Sequence, residues 1–203
     1  MDPRRRALLD RLWQEGRDFD AAQPDRLDRR RNLEPESAEL LNILVRTLAP
    51  AEVLELGTST GFSALWIADA LEPHGGRLTT VDPDAPRLAE ARTNLEAAGV
   101  ADVVTVRQAD AADVLADAED GCLPLVFLDA ERPAYPDYWP DLARILAPGG
   151  LLVVDNCLSH ADDVRPFRAL VDASPGFRST LVPVGAGLLL VSKDRPGHGS
   201  GVG

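Results

Sequence analysis

The chain carries two hydrophobic rhythms. Up to residue 48, apolar side chains recur every three to four positions: Leu8, Leu9, Leu12 and Trp13 within 4–17, then Leu40, Leu41, Leu44, Val45 and Leu48 within 36–48. That spacing lines one face of a helix. The stretch between them is polar and charged, with Pro24 and Pro35 as breakers. From Ala51 the rhythm changes to short β-type runs: "VLEL" 53–56, "LTTV" 78–81, "VVTV" 103–106, "LVFL" 125–128, "LLVV" 151–154, "STLVPV" 179–184 and "LLLVS" 188–192. Helical patterns at 62–71, 84–98, 137–146 and 162–173 separate most of them. Continuous apolar strands alternating with helices predict a parallel sheet covered on both faces. Only "GAG" separates the last two runs, which predicts an antiparallel hairpin at one end. The expected fold class is α/β: a doubly wound, seven-stranded, mostly parallel sheet with a C-terminal antiparallel hairpin. Residues 1–50 would form a helical extension, 51–193 the main domain, and the Gly-rich 194–203 a disordered tail.

Composition narrows the function classes. With 203 residues, 45% hydrophobic and 27% charged, the chain suits a globular domain with a substantial core. No uncharged apolar run approaches the ~20 residues of a membrane span. The N-terminus "MDPRRRALLDRLWQEG" lacks the apolar centre of a secretory signal, so a cytoplasmic location without a membrane partner is expected. A net charge of −12 argues against general nucleic-acid binding, which needs clustered cations. Lys193 is the only lysine, so 20 of the 21 basic residues are arginines. "RRR" occurs at 4–6 and 29–31 with acids interleaved nearby, a pattern that predicts solvated helix faces. Cys122 and Cys157 have neither metal nor redox spacing and read as ordinary thiols.

In open α/β sheets, ligands bind outside the carboxyl ends of the strands. After the first strand comes "ELGTSTGFSALW", where Gly57 and Gly61 bracket a turn into a helix beginning near Ser63. The spacing is neither GxGxxG nor GxxxxGK[ST], so a dinucleotide fingerprint and a phosphate loop are both absent. Glu55, two residues before the first glycine, suits an amine-bearing ligand better than a pyrophosphate. Asp82 ends the second strand, where an acid can accept both hydroxyls of a ribose. Asp110 and Ala111 follow the third. Asp82 and Asp110 could each instead cap a helix. The ordered set resembles the class I S-adenosylmethionine-dependent methyltransferases, whose sheet has this topology. That resemblance implies S-adenosylmethionine as cofactor. Gly57 and Gly61, with Glu55, Ser59 and Ser63, would border its methionine part; Asp82 would bind its ribose, and Asp110 with Ala111 would lie by the adenine.

Asp129 closes the fourth strand in "LVFLDAERPAYPDYW", and Asp155 and Asn156 close the fifth in "VVDNCLSH". Central strands lie about 4.8 Å apart, so three oxygen-bearing side chains should converge above the sheet. Oxygen donors of this kind suit Mg²⁺. Alternatively, Asp155 and Asn156 form an Asx-type turn and Asp129 caps a helix. "EPESAELL", "VLELGTSTGFSALWIADAL", "FLDAERPAYPDYW", "LAPGGLLVVDN" and "PVGAGLLLVSK" are similar to the cation-dependent catechol and caffeoyl-coenzyme A O-methyltransferases, from about Asn32 to Lys193. The resemblance implies Asp129, Asp155 and Asn156 as ligands of Mg²⁺ or another divalent cation, with Asp129 also beside the cofactor. It further implies a small hydroxylated acceptor, catechol-like or otherwise aromatic, a homodimer, and residues 1–50 as a cover for cofactor and acceptor. Leu8, Leu9, Leu12 and Trp13 could serve the dimer contact or pack on their own sheet.

One position departs from that family. Arg132 stands where that family usually has a lysine, the group taken to help deprotonate the hydroxyl. Arginine cannot serve as a general base. It can stabilise an oxyanion or clamp a substrate carboxylate. If a base is needed it lies elsewhere, with His160 as the candidate. Tyr135 is expected to face the acceptor, Tyr138 and Trp139 to anchor their helix, and residues 17–35 to supply part of the acceptor wall. Two further readings stay open at this stage: methylation of a hydroxylated tRNA base, and a non-catalytic S-adenosylmethionine-binding partner.

Overall fold

The computed structural model describes residues 1–25 and 28–196. Two helices lead, α1 (Pro3–Ala22) and α2 (Pro35–Leu48). Then follow β1 (Glu52–Leu56), α3 (Phe62–Leu71), β2 (Arg77–Asp82), α4 (Ala85–Ala97), β3 (Val104–Gln108), α5 (Ala111–Asp117), β4 (Leu123–Leu128), α6 (Tyr135–Ile145), β5 (Leu146–Val154), α7 (Ala161–Ala173), β6 (Phe177–Val182) and β7 (Leu188–Lys193). The sheet order is β3-β2-β1-β4-β5-β7-β6, with β7 antiparallel to both its neighbours. The seven-stranded sheet with its reversed hairpin is as expected. Part of the Gly-rich tail, residues 197–203, lies outside the described residues.

Side-chain alternation splits the core in two. Val53, Leu125, Phe127, Val153 and Leu188 face α1, α2 and α3. Leu54, Leu56, Val126, Leu128, Leu152 and Val154 face α5, α6 and α7. Strands buried on both faces read as continuous apolar runs, which is why β1, β4 and β5 were legible.

Several boundaries differ from the sequence expectation, three of them for a clear local reason. A short helix, α5, follows β3 where no helical pattern was assigned; it spans two turns and buries only Val114 and Leu115. β5 starts at Leu146 rather than 151, because a register shift between Leu123 and Leu125 absorbs the Pro148-Gly149-Gly150 turn. β6 ends at Val182, before Pro183, which has no N–H to give the ladder.

Leu8, Leu9 and Leu12 are buried in the chain's own core, and Trp13 meets Phe62 at 6.0 Å between ring centroids. Packing on its own domain, one of the two alternatives, is the role of that face. The 4–6 arginines are not all solvated. Arg5 is 8% exposed and donates to Asp69 Oδ1 at 2.7 Å, to Glu72 at 3.0 Å and to the Ala98 carbonyl. Residues 5, 8, 9 and 12 share one helix face, so Arg5 was bound to be carried inward with the leucines. Arg46 of α2 reaches the same carboxylate at 2.6 Å, so Asp69 pins both leading helices to α3. Hydrogen bonds from Arg5 and Arg46 outweigh burial and hold Asp69 below the ordinary carboxylate range.

Removing one partner of a buried ion pair strands the other charge, at a cost of roughly 3–5 kcal/mol. Asp69→Asn is therefore expected to lower unfolding free energy in urea by about 3 kcal/mol. Asp10→Asn, which breaks an exposed pair, should cost under ~1 kcal/mol. Equal effects would contradict the clamp.

Candidate active site

One cavity of about 390 Å³ opens at the carboxyl ends of β1 to β5. Its wall comes from the turns after these five strands, the first turn of α3, Tyr138 on α6, and residues 30–33. The site starts with a backbone constraint. Gly57 has φ +104°, and a Cβ there would overlap the Asp129 carbonyl oxygen. Only glycine lets the β1 turn lie against the end of β4. Gly61, at φ +82°, lets α3 start while Ala91 of α4 packs against it; it does not line the cavity.

Glu55 lies behind the wall rather than on it. It is fully buried and accepts from Ser63 Oγ and Thr80 Oγ1, both at 2.5 Å, while Thr58 Oγ1 meets Thr80 Oγ1 at 2.6 Å. This chain of hydroxyls fixes Thr58 and Ser63, which do line the cavity. Burial pushes Glu55 up to about 7, against the hydrogen bonds from Ser63 and Thr80, with Asp82 adding to the rise.

Asp82 accepts the Ser59 N–H at 2.9 Å and the Asp84 N–H at 3.0 Å, one on each carboxylate oxygen. Each oxygen keeps a lone pair for a further donor. Asp110 does both things the sequence allowed: it caps α5 through the Ala112 N–H at 2.8 Å and lines the cavity with Ala111.

At the other end of the cavity, the ladder carries one step beyond the strands. The Asp129 N–H donates to Leu56 O at 2.9 Å and the Asp155 N–H to Leu128 O at 3.1 Å. Asn156, at φ +64°, turns its amide back between the two acids. Its Nδ2 donates to Asp129 Oδ1 at 3.0 Å and to Asp155 Oδ2 at 2.9 Å. Asp155 Oδ1 is buried and, among the described residues, has no hydrogen-bond partner. Burial pushes Asp129 well above the ordinary carboxylate range; Asp155 adds to this, and Arg31 and Arg132 oppose it. Burial likewise lifts Asp155 to about 7, opposed by the Asn156 N–H and Arg132 and reinforced by Glu34. A half-turn of the Asn156 amide exchanges its nitrogen for oxygen and yields an all-oxygen donor set. Two crowded carboxylates, an orphaned oxygen and a convergent amide fit a divalent cation. Among the described residues, no group of three or more His, Cys, Asp or Glu offers a metal site; the third donor here is an amide.

Arg132 lines the cavity and is 2% exposed. His160 does not line it; its Nδ1 meets Ser159 Oγ at 2.9 Å. The two tyrosines exchange their expected roles. Tyr135 is fully buried, donates to the Ala130 carbonyl at 3.0 Å and packs edge-on to Phe167, whereas Tyr138 lines the cavity. The second "RRR" is also not a solvated helix face. Residues 29–31 belong to an irregular strap tied down by Asp20, which accepts the Arg30 and Arg31 N–H groups at 2.6 and 3.0 Å. Ser59 Oγ donates to the Arg30 carbonyl, so the strap closes over the β1 turn. The expected wall from residues 17–35 is supplied by this strap; residues 26 and 27 lie outside the described residues.

A family model described as O-methyltransferase matches residues 14–194. The chain belongs to that O-methyltransferase family. It is 35% identical over 166 residues to a catechol O-methyltransferase of Niastella koreensis, covering 74% of this chain and 75% of the relative. It is 32% identical over 158 residues to a catechol O-methyltransferase of Mycobacterium tuberculosis, covering 72% and 71%. Among solved structures it resembles the O-methyltransferase TomG of Streptomyces achromogenes, involved in tomaymycin synthesis and bound to S-adenosylmethionine. That match has a TM-score of 0.75 and 27% identity, over 96% of this chain and 91% of the other. The protein is thus a class I S-adenosylmethionine-dependent O-methyltransferase of the caffeoyl-coenzyme A type. Among the described residues, no helix of this methyltransferase is long and apolar enough to cross a membrane.

The raised Glu55 has a measurable consequence. Between its ordinary value of 4.5 and about 7, the unfolded chain releases this proton before the folded chain does. Stability therefore falls as pH rises through that window and is level above it. Glu55→Gln removes this component while leaving those of Asp129 and Asp155 in place. Melting temperatures from pH 4.5 to 8 in EDTA should show the variant gaining on the parent as pH rises. A difference that does not change with pH would contradict the buried-carboxylate assignment.

Proposed function

We propose that this methyltransferase transfers the methyl group of S-adenosylmethionine to one hydroxyl of a small catechol-like acceptor, with a divalent cation, Mg²⁺ or a similar ion, held by Asp129, Asp155 and Asn156. The observation that carries this reading is the convergence of the three side chains, with Asp155 Oδ1 buried and unsatisfied. The two relatives named catechol O-methyltransferase support the acceptor class.

A divalent cation bound there would lower the pKa of a chelated hydroxyl and fix its orientation. The chain's own residues do the rest. Asp82 receives the ribose hydroxyls on the lone pairs left free by Ser59 and Asp84. Asp110 and Ala111 border the adenine, and Gly57, Ser59 and Ser63 the methionine part. Glu55 acts one step back by holding Ser63, and Gly61 by letting α4 close on α3. Arg132, whose guanidinium cannot serve as a general base, supplies positive charge at the acceptor end of the cavity rather than taking a proton. The sulfur–methyl bond breaks as the oxygen–methyl bond forms. The acceptor oxygen loses its proton to water, and the cofactor leaves as the neutral thioether. His160, off the cavity wall, takes no part in the transfer.

Labelled S-adenosylmethionine with a panel of catechols tests the reading. Turnover should vanish in EDTA and return with Mg²⁺. Asp155→Asn should lower it about 100-fold or more, and His160→Ala should leave it within about twofold. Turnover indifferent to EDTA would overturn the cation assignment; a large loss in the histidine variant would restore His160 as the base.

A further inference from the structure

Arg132 lies in the short turn after β4, three residues beyond Asp129, and is 2% exposed. Its Nε and Nη2 are both buried, and among the described residues neither has a hydrogen-bond partner. These two atoms are the donors of a single guanidinium edge, the edge that meets a carboxylate with two parallel hydrogen bonds. Leaving them unmade is expensive, because a buried donor without a partner carries its full desolvation cost. Arginine has no neutral form to retreat to. Among the described residues, none fills the edge with a hydrogen bond. Asp163 Oδ2 comes no nearer than 3.8 Å to Nε and belongs to a half-exposed side chain. Asp129 and Asp155 each accept from the Asn156 amide on one carboxylate oxygen, and neither reaches the Arg132 edge within hydrogen-bond distance.

A second cation faces the same cavity from the strap. Arg31 donates through Nη2 to Glu131 Oε1 at 2.8 Å, while its own Nε is buried without a partner. Arg31 and Arg132 thus both line the cavity with buried donors unmet among the described residues, and Glu131 pairs with Arg31. A neutral catechol would leave the Arg132 edge unsatisfied on binding. An acceptor bearing a carboxylate would satisfy it.

We propose that the Nε–Nη2 edge of Arg132 receives a carboxylate carried by the acceptor, so that the preferred substrate is a hydroxylated aromatic acid rather than a neutral or cationic catechol. This deepens the reading given under the proposed function and rests on it. Arg132 then acts as a specificity residue: it holds the acceptor by its acid group while the hydroxyls lie toward Asp129, Asp155 and Asn156. The departure from lysine acquires a reason, since an ammonium cannot offer the planar two-donor edge.

The test compares two probes of nearly equal shape, 3,4-dihydroxybenzoate and 3,4-dihydroxybenzyl alcohol. Their dissociation constants are measured by calorimetry on the full chain saturated with S-adenosylhomocysteine and Mg²⁺. The acid is expected to bind at least tenfold more tightly than the alcohol. In Arg132→Met that ratio should fall to about one, and Arg132→Lys should restore only part of it. An acid-to-alcohol ratio near one in the parent protein would overturn the proposal without any variant, so a poorly folding variant does not protect it. It would also be overturned if Arg132→Met weakened both probes equally, the result expected of a guanidinium serving the hydroxyl oxygen. Weaker S-adenosylhomocysteine binding in that variant, with the probe ratio intact, would reassign the edge to the cofactor and overturn it too. Arg132-dependent binding of the acid with no labelled methyl transferred to it would contradict the acceptor reading while leaving the carboxylate site standing.

Discussion

The chemistry at the cavity end depends on the in-register parallel pairing of β1, β4 and β5. Leu56 pairs with Leu128 and Leu128 with Val154, so the three strands stop at one level. Because the ladder runs one residue further, the backbones of Asp129 and Asp155 are hydrogen-bonded to the preceding strands before their side chains begin. Two carboxylates are thereby fixed side by side on rigid elements, without help from a loop. A slip of one residue in either strand would turn that strand's apolar side chains onto the wrong face and carry its acid away from the cavity. Burial of Leu56, Leu128 and Val154 therefore protects the position of the polar groups just beyond them.

Bringing like charges together in a poorly hydrated place has a cost, and the surroundings show how it is met. Asn156 takes a left-handed backbone conformation to put its amide between the acids, and Arg132 and Arg31 offset their charge from either side. The compensation is incomplete: among the described residues, Asp155 Oδ1 and the Arg132 edge have no hydrogen-bond partner. Unmet groups of opposite kinds in one cavity point to two different guests, a cation for the carboxylates and an anion for the guanidinium. The cofactor end is different in character. There Ser59, Thr58 and Ser63 are held by Asp82 and Glu55 through short hydrogen bonds, so that end is set before any ligand arrives.

The sheet was legible because its central strands are largely apolar and their ends carry the acids. Leu125–Leu128 followed by Asp129 announces both a core strand and a functional end in five residues. Arg5 and the 29–31 arginines were misread because net charge pattern says nothing about what lies across the fold. Asp69 is 64 positions from Arg5, and the strap that holds Arg30 and Arg31 has no periodicity. For Arg5 a signal existed in its spacing to Leu8, Leu9 and Leu12. Tyr135 and Tyr138 exchanged places because α6 begins at Tyr135, two residues before the helical pattern assigned at 137, which sets which tyrosine faces in. Helix α5 is too short to show a period at all.

The central claim is that the register of three strands builds a cation site from Asp129, Asp155 and Asn156. Direct binding of Mn²⁺, followed by electron paramagnetic resonance on the full chain without acceptor, tests it without relying on turnover. The account predicts one ion per chain, with affinity at least tenfold weaker in Asp155→Asn and in Asn156→Ala. Equal Mn²⁺ binding by the parent and both variants would contradict it.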